Sequence, residues 1–415
     1  MADHGTQADT TVNTGVDAGA DGTAGAGLLS GTLVLDLSRA LAGPHAGMML
    51  GDLGARVIKV ETPNGGDDSR GWGPPFLGEG EDRESTYFMA ANRNKESITL
   101  DLKDEADKDV LARLVRRADV LIENFRVGVL DRLGFSVERL HELNPGLVVC
   151  SITGFGHDGP ESQRAGYDQI AQGEAGLMSL TGIEEPTKVG VPIADLLAGM
   201  NGAYGILAAL LERQRTGRGR VVRTSLIASV VGVHAFQGTK WTVGGELPGL
   251  SGSHHPSIAP YGLFHTATGP IQLSCGSEGL WRKFAPAVGL DPDEPRFATN
   301  GERVAHRDEL VQVLNDIFAT QPAEHWLELL SSTGIPSGKV RNLQEVYEWE
   351  QVRSQGLLVE VDHATKGTFA IPGPVIRFDD NPYGGARPEV IAPPVLGQHN
   401  ESVRAWLDET DPTDG

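Results

Sequence analysis

The residues able to do chemistry in this sequence are two aspartates and a set of cations. Asp195 follows the mostly apolar run 189–194 and opens a predicted long helix rich in small residues, which would set its carboxylate near unpaired backbone N–H groups and the positive end of the helix dipole. Asp168, in Gly166-Tyr167-Asp168, occupies a similar loop-to-helix junction. An N-cap aspartate leaves the same signature, and on pattern alone capping is the simpler reading for both. The cations are Arg93, Lys95, Lys103, Arg126 and Arg132, the last three near predicted strand ends, where open α/β sheets bind ligands. Arg126 and Arg132 follow Glu123-Asn124-Phe125, so one strand end delivers an amide, an aromatic face and guanidinium groups together. That set suits a phosphorylated adenine nucleotide, whose ring stacks while guanidiniums pair with phosphate oxygens. A solvated surface would carry the same residues.

Other catalytic signatures are weak or missing. Gly154-Phe155-Gly156-His157-Asp158-Gly159 fits GxGxxG after a predicted strand, but Pro160 and the polar run 161–164 stand where a dinucleotide site needs an apolar helix, so a glycine-rich turn is expected. The sequence has no GxxxxGK[ST], no GxSxG and no HExxH. Adjacent His254-His255 on a predicted loop rarely converge on one ion, so no metal is expected. Cys150 and Cys275 give neither a disulfide framework nor a zinc motif, which fits a reducing cytoplasm.

The hydrophobic pattern supplies a scaffold for these residues. Apolar runs at 33–37, 57–60, 97–102, 119–123 and 147–152 predict strands, separated by helical stretches at 44–54, 104–117 and 137–143. Strands alternating with helices of this length imply an α/β fold with a mostly parallel, doubly wound sheet. Helices at 168–180 and 195–213 and a strand at 220–225 continue the pattern. The Gly/Pro/Ser/His-rich stretch 241–262 lacks a clear period and reads as a linker or functional loop. Beyond it, a strand at 271–275 and helices at 280–288, 307–320 and 322–331 read as a smaller α+β domain, and a last helix lies near 401–408.

Composition bounds what such a chain can do. A length of 415 residues exceeds one usual core and implies two or three domains. With 35 Lys+Arg against 56 Asp+Glu the net charge is -21, which disfavours nucleic acid and anionic membranes as partners. An anionic ligand would need cations clustered against that background. Residues 1–26, mainly Ala, Gly, Thr and Asp, bury too little to order. There is no basic-then-apolar leader, and the most apolar runs, 206–211 and 226–233, are too short to span a bilayer, so a soluble, cytoplasmic chain is expected.

Taken in order, the motifs resemble those of class III CoA transferases, the CaiB/BaiF-like family of formyl-CoA transferase and carnitine CoA transferase. The resemblance rests on Leu33-Val34-Leu35-Asp36-Leu37-Ser38-Arg39 with Ala42-Gly43-Pro44, on Leu53-Gly54-Ala55-Arg56 through Glu61, and on Asn92-Arg93-Asn94-Lys95. Gly154-Phe155-Gly156, Gly166-Tyr167-Asp168, the turn 216–219 and the proline-rich run 392–399 extend it over roughly residues 33–406. It implies a Rossmann-like large domain built from both chain ends, a small α+β domain between them, and a homodimer of interlocked rings. The division is then a tail at 1–26, a first part of the large domain at 27–225, linker and small domain at 226–335, and a return segment at 336–415.

The resemblance also assigns roles. The family's aspartyl nucleophile falls on Asp195, its CoA-binding positions on Lys103, Asn124, Phe125 and Arg132 beside Arg126, and its acyl-pocket positions on Trp72, Tyr87, Tyr167 and Asp168. Gly249 and Gly252 match its site-covering glycine loop. The substrates implied are an acyl-CoA and a small carboxylic acid, with no permanently bound cofactor. A carboxylate with a reference pKa of about 3.9 is already ionised and needs no general base to attack a thioester. Asp195 would pass through a mixed anhydride and then hold CoA as an aspartyl thioester while the acids exchange. Leu41 replaces a glutamine of the formyl-CoA enzyme, and the polyglycine loop is reduced to Gly249-Leu250-Ser251-Gly252-Ser253, which argues against an oxalate-type substrate. The alternative activity is that of the α-methylacyl-CoA racemase branch, whose Gly-His-Asp motif is Gly166-Tyr167-Asp168 here; a phenol with a pKa of about 10 is a poor base near neutrality. A non-catalytic CoA-binding protein would keep Lys103 and Arg132 but need no nucleophile.

Overall fold

Six strands, five of them buried along most of their length, assemble side by side with helices covering the faces of the sheet. In the computed structural model, which describes residues 27–379 and 384–410, these are β1 (Leu33–Asp36), β2 (Arg56–Glu61), β3 (Lys95–Thr99), β4 (Val120–Glu123), β5 (Val148–Thr153) and β6 (Val221–Ser225). They pair in the order β3-β2-β1-β4-β5-β6, every neighbour parallel. The α/β, doubly wound expectation is met. Strand order reverses between β1 and β4, so a crevice opens beyond their carboxyl ends, where such sheets bind ligands.

Side-chain alternation sends neighbouring residues to opposite cores. Leu33, Leu35 and Leu121 join one core, Val34, Val120 and Ile122 the other. The second is covered by α1 (Ala42–Asp52), the first by α2 (Glu105–Arg117), whose N-cap Asp104 accepts from Ala106 and Asp107 N–H and whose last turn carries Arg116 and Arg117, as the helix dipole favours. The chain's last helix, Asn400–Thr410, returns to α2's side with Val403 and Leu407, and Thr99 N–H donates to Asn400 Oδ1 at 2.8 Å. The expected tail at 1–26 lies outside the described residues.

Three more helices complete the site's side of the sheet: α3 (Asp168–Glu174), α4 (Ile193–Thr216) and α5 (Leu226–Gly232). The helix expected over 168–180 stops at Glu174 because Gly176 is left-handed at φ 80°. At 24 residues α4 is long and apolar enough to cross a bilayer by length and composition, longer than the apolar runs singled out from the sequence. Here Ala198, Gly202 and Ala203 turn inward to the core. Gly199 is required by close approach: a Cβ there would stand 2.6 Å from Ala42 O on α1.

A third core forms between Ala259 and Ile335. Strands β7 (Tyr261–His265), β8 (Pro270–Ser274) and β9 (Ser337–Lys339) form an antiparallel sheet, with Trp281, Phe284, Phe318 and Trp326 packed beside it. Strand β9 lies just past the boundary expected at 335. The irregular stretch expected from 241 begins after a helix, Ala235–Thr242.

Candidate active site

Beyond the carboxyl ends of β1 and β4 lies a cavity of about 610 Å³. Asp195, Asp168, Tyr167, Trp72 and Tyr87 line it together with Asn124, Phe125 and Arg126. Residues from five separate chain segments therefore meet at the topological switch point of the sheet.

Asp195 is not the helix cap that its sequence setting favours. The N-cap of α4 is Pro192, and Asp195 sits in the first turn behind it. The capping is done from α3: Asp168 Oδ1 accepts the Ala194 N–H at 2.8 Å, while its Oδ2 accepts from Gln172 Nε2 at 2.7 Å. Asp168 thus holds the start of α4 with one oxygen and Gln172 with the other, and Ala194 N–H is unavailable as an oxyanion donor. Burial, with the Asp168 charge adding to it, pushes the Asp195 carboxyl up to about 7. The result is a poorly solvated carboxylate facing a cavity without a cation bonded to it among the described residues.

The opposite wall is aromatic. Trp72 meets Tyr87 edge to face at 4.9 Å, and Ser85 holds both by donating to Trp72 O at 2.6 Å and accepting the Tyr87 N–H. Burial, and then the charges of Asp195, Asp168 and Asp67, raise the Tyr87 pKa, so it stays a neutral phenol. Under this wall lies a buried ion cluster. Lys59 Nζ lies 2.8 Å from Asp67 and 3.9 Å from Asp36, Lys95 Nζ is 2.8 Å from Asp36, and Arg70 Nε is 2.7 Å from Glu61. Asp67 Oδ1 takes the N–H of Ala40 at 3.0 Å and that of Ser69 at 2.9 Å. Ala40 is left-handed at φ 64°, a conformation costing a non-glycine residue about 1–2 kcal/mol, and Asp67 helps to hold it there beside the cavity.

Glycines shape the third side. A Cβ on Gly154 would lie 2.7 Å from the Gly166 Cα, so the backbone of the GxGxxG stretch packs directly on the segment that delivers Tyr167 and Asp168. It is the glycine-rich turn expected, with no helix following until Asp168.

A family model described as CoA-transferase family III matches residues 29–400. The chain belongs to this CoA-transferase family. Succinyl-CoA:glutarate CoA-transferase of Homo sapiens is 38% identical over 379 residues, covering 90% of this chain and 85% of that protein. Succinate–glutarate CoA-transferase of Agrobacterium fabrum is 40% identical over 394 residues, 93% of this chain and 97% of its own. The crystal structure of a CAIB/BAIF family protein from Brucella suis aligns with a TM-score of 0.81 at 39% identity, covering 92% of this chain and 100% of that one. As a family III member the chain is an enzyme that transfers CoA, with acyl-CoA and carboxylates as its substrates.

The positions expected to hold CoA are only partly gathered. Asn124 and Phe125 line the cavity, but the Asn124 amide is engaged with the backbone of Arg39, Oδ1 accepting at 2.8 Å and Nδ2 donating at 2.7 Å. It locks the β1 loop to the β4 loop. Arg126 is exposed at the rim, whereas Lys103 and Arg132, also exposed, follow β3 and β4 outside the cavity lining. Arg93 and Lys95 are structural: Arg93 pairs with Asp52 and Lys95 with Asp36, all buried. Leu41 is buried between lining residues Ala40 and Ala42. Gly249 and Gly252 are exposed and outside the lining, with Gly252 N–H donating to Gly182 O at 2.9 Å. Sequence reasoning missed Arg39, Arg164 and Lys188, which line the cavity. Arg39 stood inside a quoted motif; Arg164 and Lys188 carried no signal, since loop cations of this kind are ordinary surface.

Proposed function

We propose that the enzyme carries CoA from a succinyl-CoA-type donor to a small dicarboxylic acid through covalent intermediates on Asp195. One Asp195 oxygen attacks the thioester carbonyl, and the C–S bond breaks to leave an acyl-aspartyl anhydride and CoA thiolate. The thiolate attacks the aspartyl carbonyl, releasing the donor carboxylate and forming an aspartyl-CoA thioester. The acceptor carboxylate attacks that thioester and breaks its C–S bond to give a second anhydride and CoA thiolate, which then attacks the acceptor's acyl carbon, forming the new thioester and releasing the Asp195 carboxylate. Thioester energy is conserved only if water is kept from the anhydride.

The observation that carries this reading is the setting of Asp195: a partly buried carboxylate in a cavity wall, raised to about 7, with no cation bonded to it among the described residues. Its anion is a stronger nucleophile than an ordinary aspartate and is present near neutral pH. The dicarboxylate class is supported by the names of the human and Agrobacterium relatives. The test is trapping: after addition of succinyl-CoA, borohydride or hydroxylamine followed by peptide mass spectrometry is expected to modify Asp195, and an unmodified Asp195 in active enzyme would sink the covalent route. A homodimer is part of the proposal. Met200, Tyr204 and Leu211 are 48%, 75% and 66% exposed on one side of α4, an apolar stripe that a second copy would cover.

A further inference from the structure

We infer that Lys188 receives the second carboxylate of a dicarboxylic substrate; this rests on the dicarboxylate reading above and names the residue that would select it. A dicarboxylic acid reacting at Asp195 brings an extra negative charge to a wall that already carries Asp195, Asp168 and Asp68. It needs a cation, and the cavity is lined by four: Arg39, Arg126, Arg164 and Lys188.

Arg164 is committed elsewhere, and Arg39 and Arg126 stand at the aromatic end of the cavity. Arg164 pairs with Glu161 at 3.1 Å and Glu174 at 2.6 Å and lies over the Phe155 ring. Arg39 stands 5.6 Å from the Phe125 ring, and Arg126 adjoins that ring in sequence, so both flank the aromatic face at the ends of β1 and β4. Lys188 is different. It stands on the loop that runs into α4, and its ammonium donates only to the carbonyl of the next residue, Val189, at 3.3 Å, with no carboxylate paired to it among the described residues.

That loop is also fixed relative to the nucleophile. Val189 N–H donates to Gln172 Oε1 at 2.9 Å, Gln172 Nε2 donates to Asp168 Oδ2 at 2.7 Å, and Asp168 Oδ1 holds Ala194 N–H at 2.8 Å. The segment bearing Lys188 and the helix turn bearing Asp195 thus hang from one carboxylate. A flexible lysine stem swung from a fixed loop can meet a carboxylate at the far end of a short methylene chain while the near carboxylate addresses Asp195. Because the ammonium is exposed, its attraction is moderate, a selectivity of about tenfold.

The experiment uses the full-length enzyme with saturating succinyl-CoA and two acceptors of equal chain length, glutarate and valerate. Valerate is read as a substrate or, where turnover is too slow, as a competitive inhibitor against glutarate. Wild type is expected to favour glutarate. Lys188→Met is expected to raise the glutarate KM about tenfold with kcat little changed, to leave valerate within about twofold, and to be largely rescued by Lys188→Arg. An unchanged glutarate preference in Lys188→Met, or an equal loss on both acceptors, overturns the role of Lys188 while the dicarboxylate reading stands. A wild type that does not favour glutarate overturns that reading, and this inference with it.

Discussion

Two groups of carboxylates, one buried in the ion cluster and one partly buried at the cavity wall, lie within one corner of the molecule and behave oppositely. In the ion cluster, burial would raise Asp67, but Lys59 and the N–H groups of Ser69 and Ala40 hold it at about 2. Burial works against Asp36 and Glu61 too, but Lys95 and Lys59 lower the first, and Arg70 and Lys59 the second. At the cavity wall burial acts in the same direction on Asp195 with nothing opposing it, and Asp168 adds to the push. Burial raises both kinds, so what separates a carboxylate that builds the fold from one that can react is the partner that opposes it.

The sharpest way to break this comparison is to remove the unpaired member. Asp195→Ala is expected to lower CoA transfer by about 10³-fold or more while the Kd for CoA, read by calorimetry, changes less than about threefold. Turnover near wild type would end the assignment. Stability should move the other way. A folded-state pKa of about 7 against a reference of 3.8 means that the folded protein binds the proton more tightly, so this group's contribution falls as pH rises through that window and is a net cost above about 7. The isosteric Asp195→Asn is expected to gain about 2–4 kcal/mol at pH 8 in urea unfolding, and little at pH 4.

Removing a paired member should do the reverse. Lys59→Met leaves Asp67 without its ammonium and is expected to cost about 3–5 kcal/mol at pH 7. Asp67, whose pKa is depressed to about 2, contributes stability that is complete above about pH 4 and lost as pH falls through about 2, so the gap between variant and wild type should narrow on acidification. Lys59→Met/Asp67→Asn should recover part of the loss. A single variant as stable as wild type would show that the cluster is not what holds the Ala40 turn.

Legibility in the sequence followed the same divide. The alternation of apolar runs located all six parallel strands and α2, because buried strands and amphipathic helices have local periods. The helix at 168–180 was overextended because nothing local marks Gly176 as left-handed rather than helical. At the site, spacing alone treated Asp168 and Asp195 alike. Which one caps α4 is decided by the packing of α3 on α4, a contact 26 residues apart in sequence. Arg93 and Lys95 read as candidate ligands and prove to be buried counter-ions, since a carboxylate partner such as Asp52 or Asp36 is brought up only by the folded sheet. Resemblance supplied Asp195; geometry supplied the reason its carboxylate is unusual.

Charge coupling at the wall offers a smaller test. In the proposed route only the anion of Asp195 attacks, so kcat/KM for acyl-CoA is expected to fall as pH drops through about 7. Asp168→Asn removes the second cause of the raised value, and the acid limb should move to lower pH, so that at pH 6 the variant gains several-fold relative to its own plateau. Asparagine can still accept the Ala194 N–H, which keeps α4 in place, though it gives up the acceptor that Gln172 uses. An acid limb that stays where it was would leave burial alone responsible for the setting of Asp195.

Exposed cations should give the smallest effect, and that is what makes them informative. Arg126 lines the same cavity as Asp195 but stands at its rim in solvent, where an ion pair gains little and salt screens it. Arg126→Ala is expected to raise the KM for acyl-CoA about threefold with kcat unchanged, and the difference should shrink as ionic strength rises from about 0.05 to 0.5 M. A fall in kcat instead would mean that this guanidinium reaches the reacting atoms. Asp195 would then have a cation after all when substrate is bound, and the contrast between the paired cluster and the unpaired nucleophile would hold only for the empty enzyme.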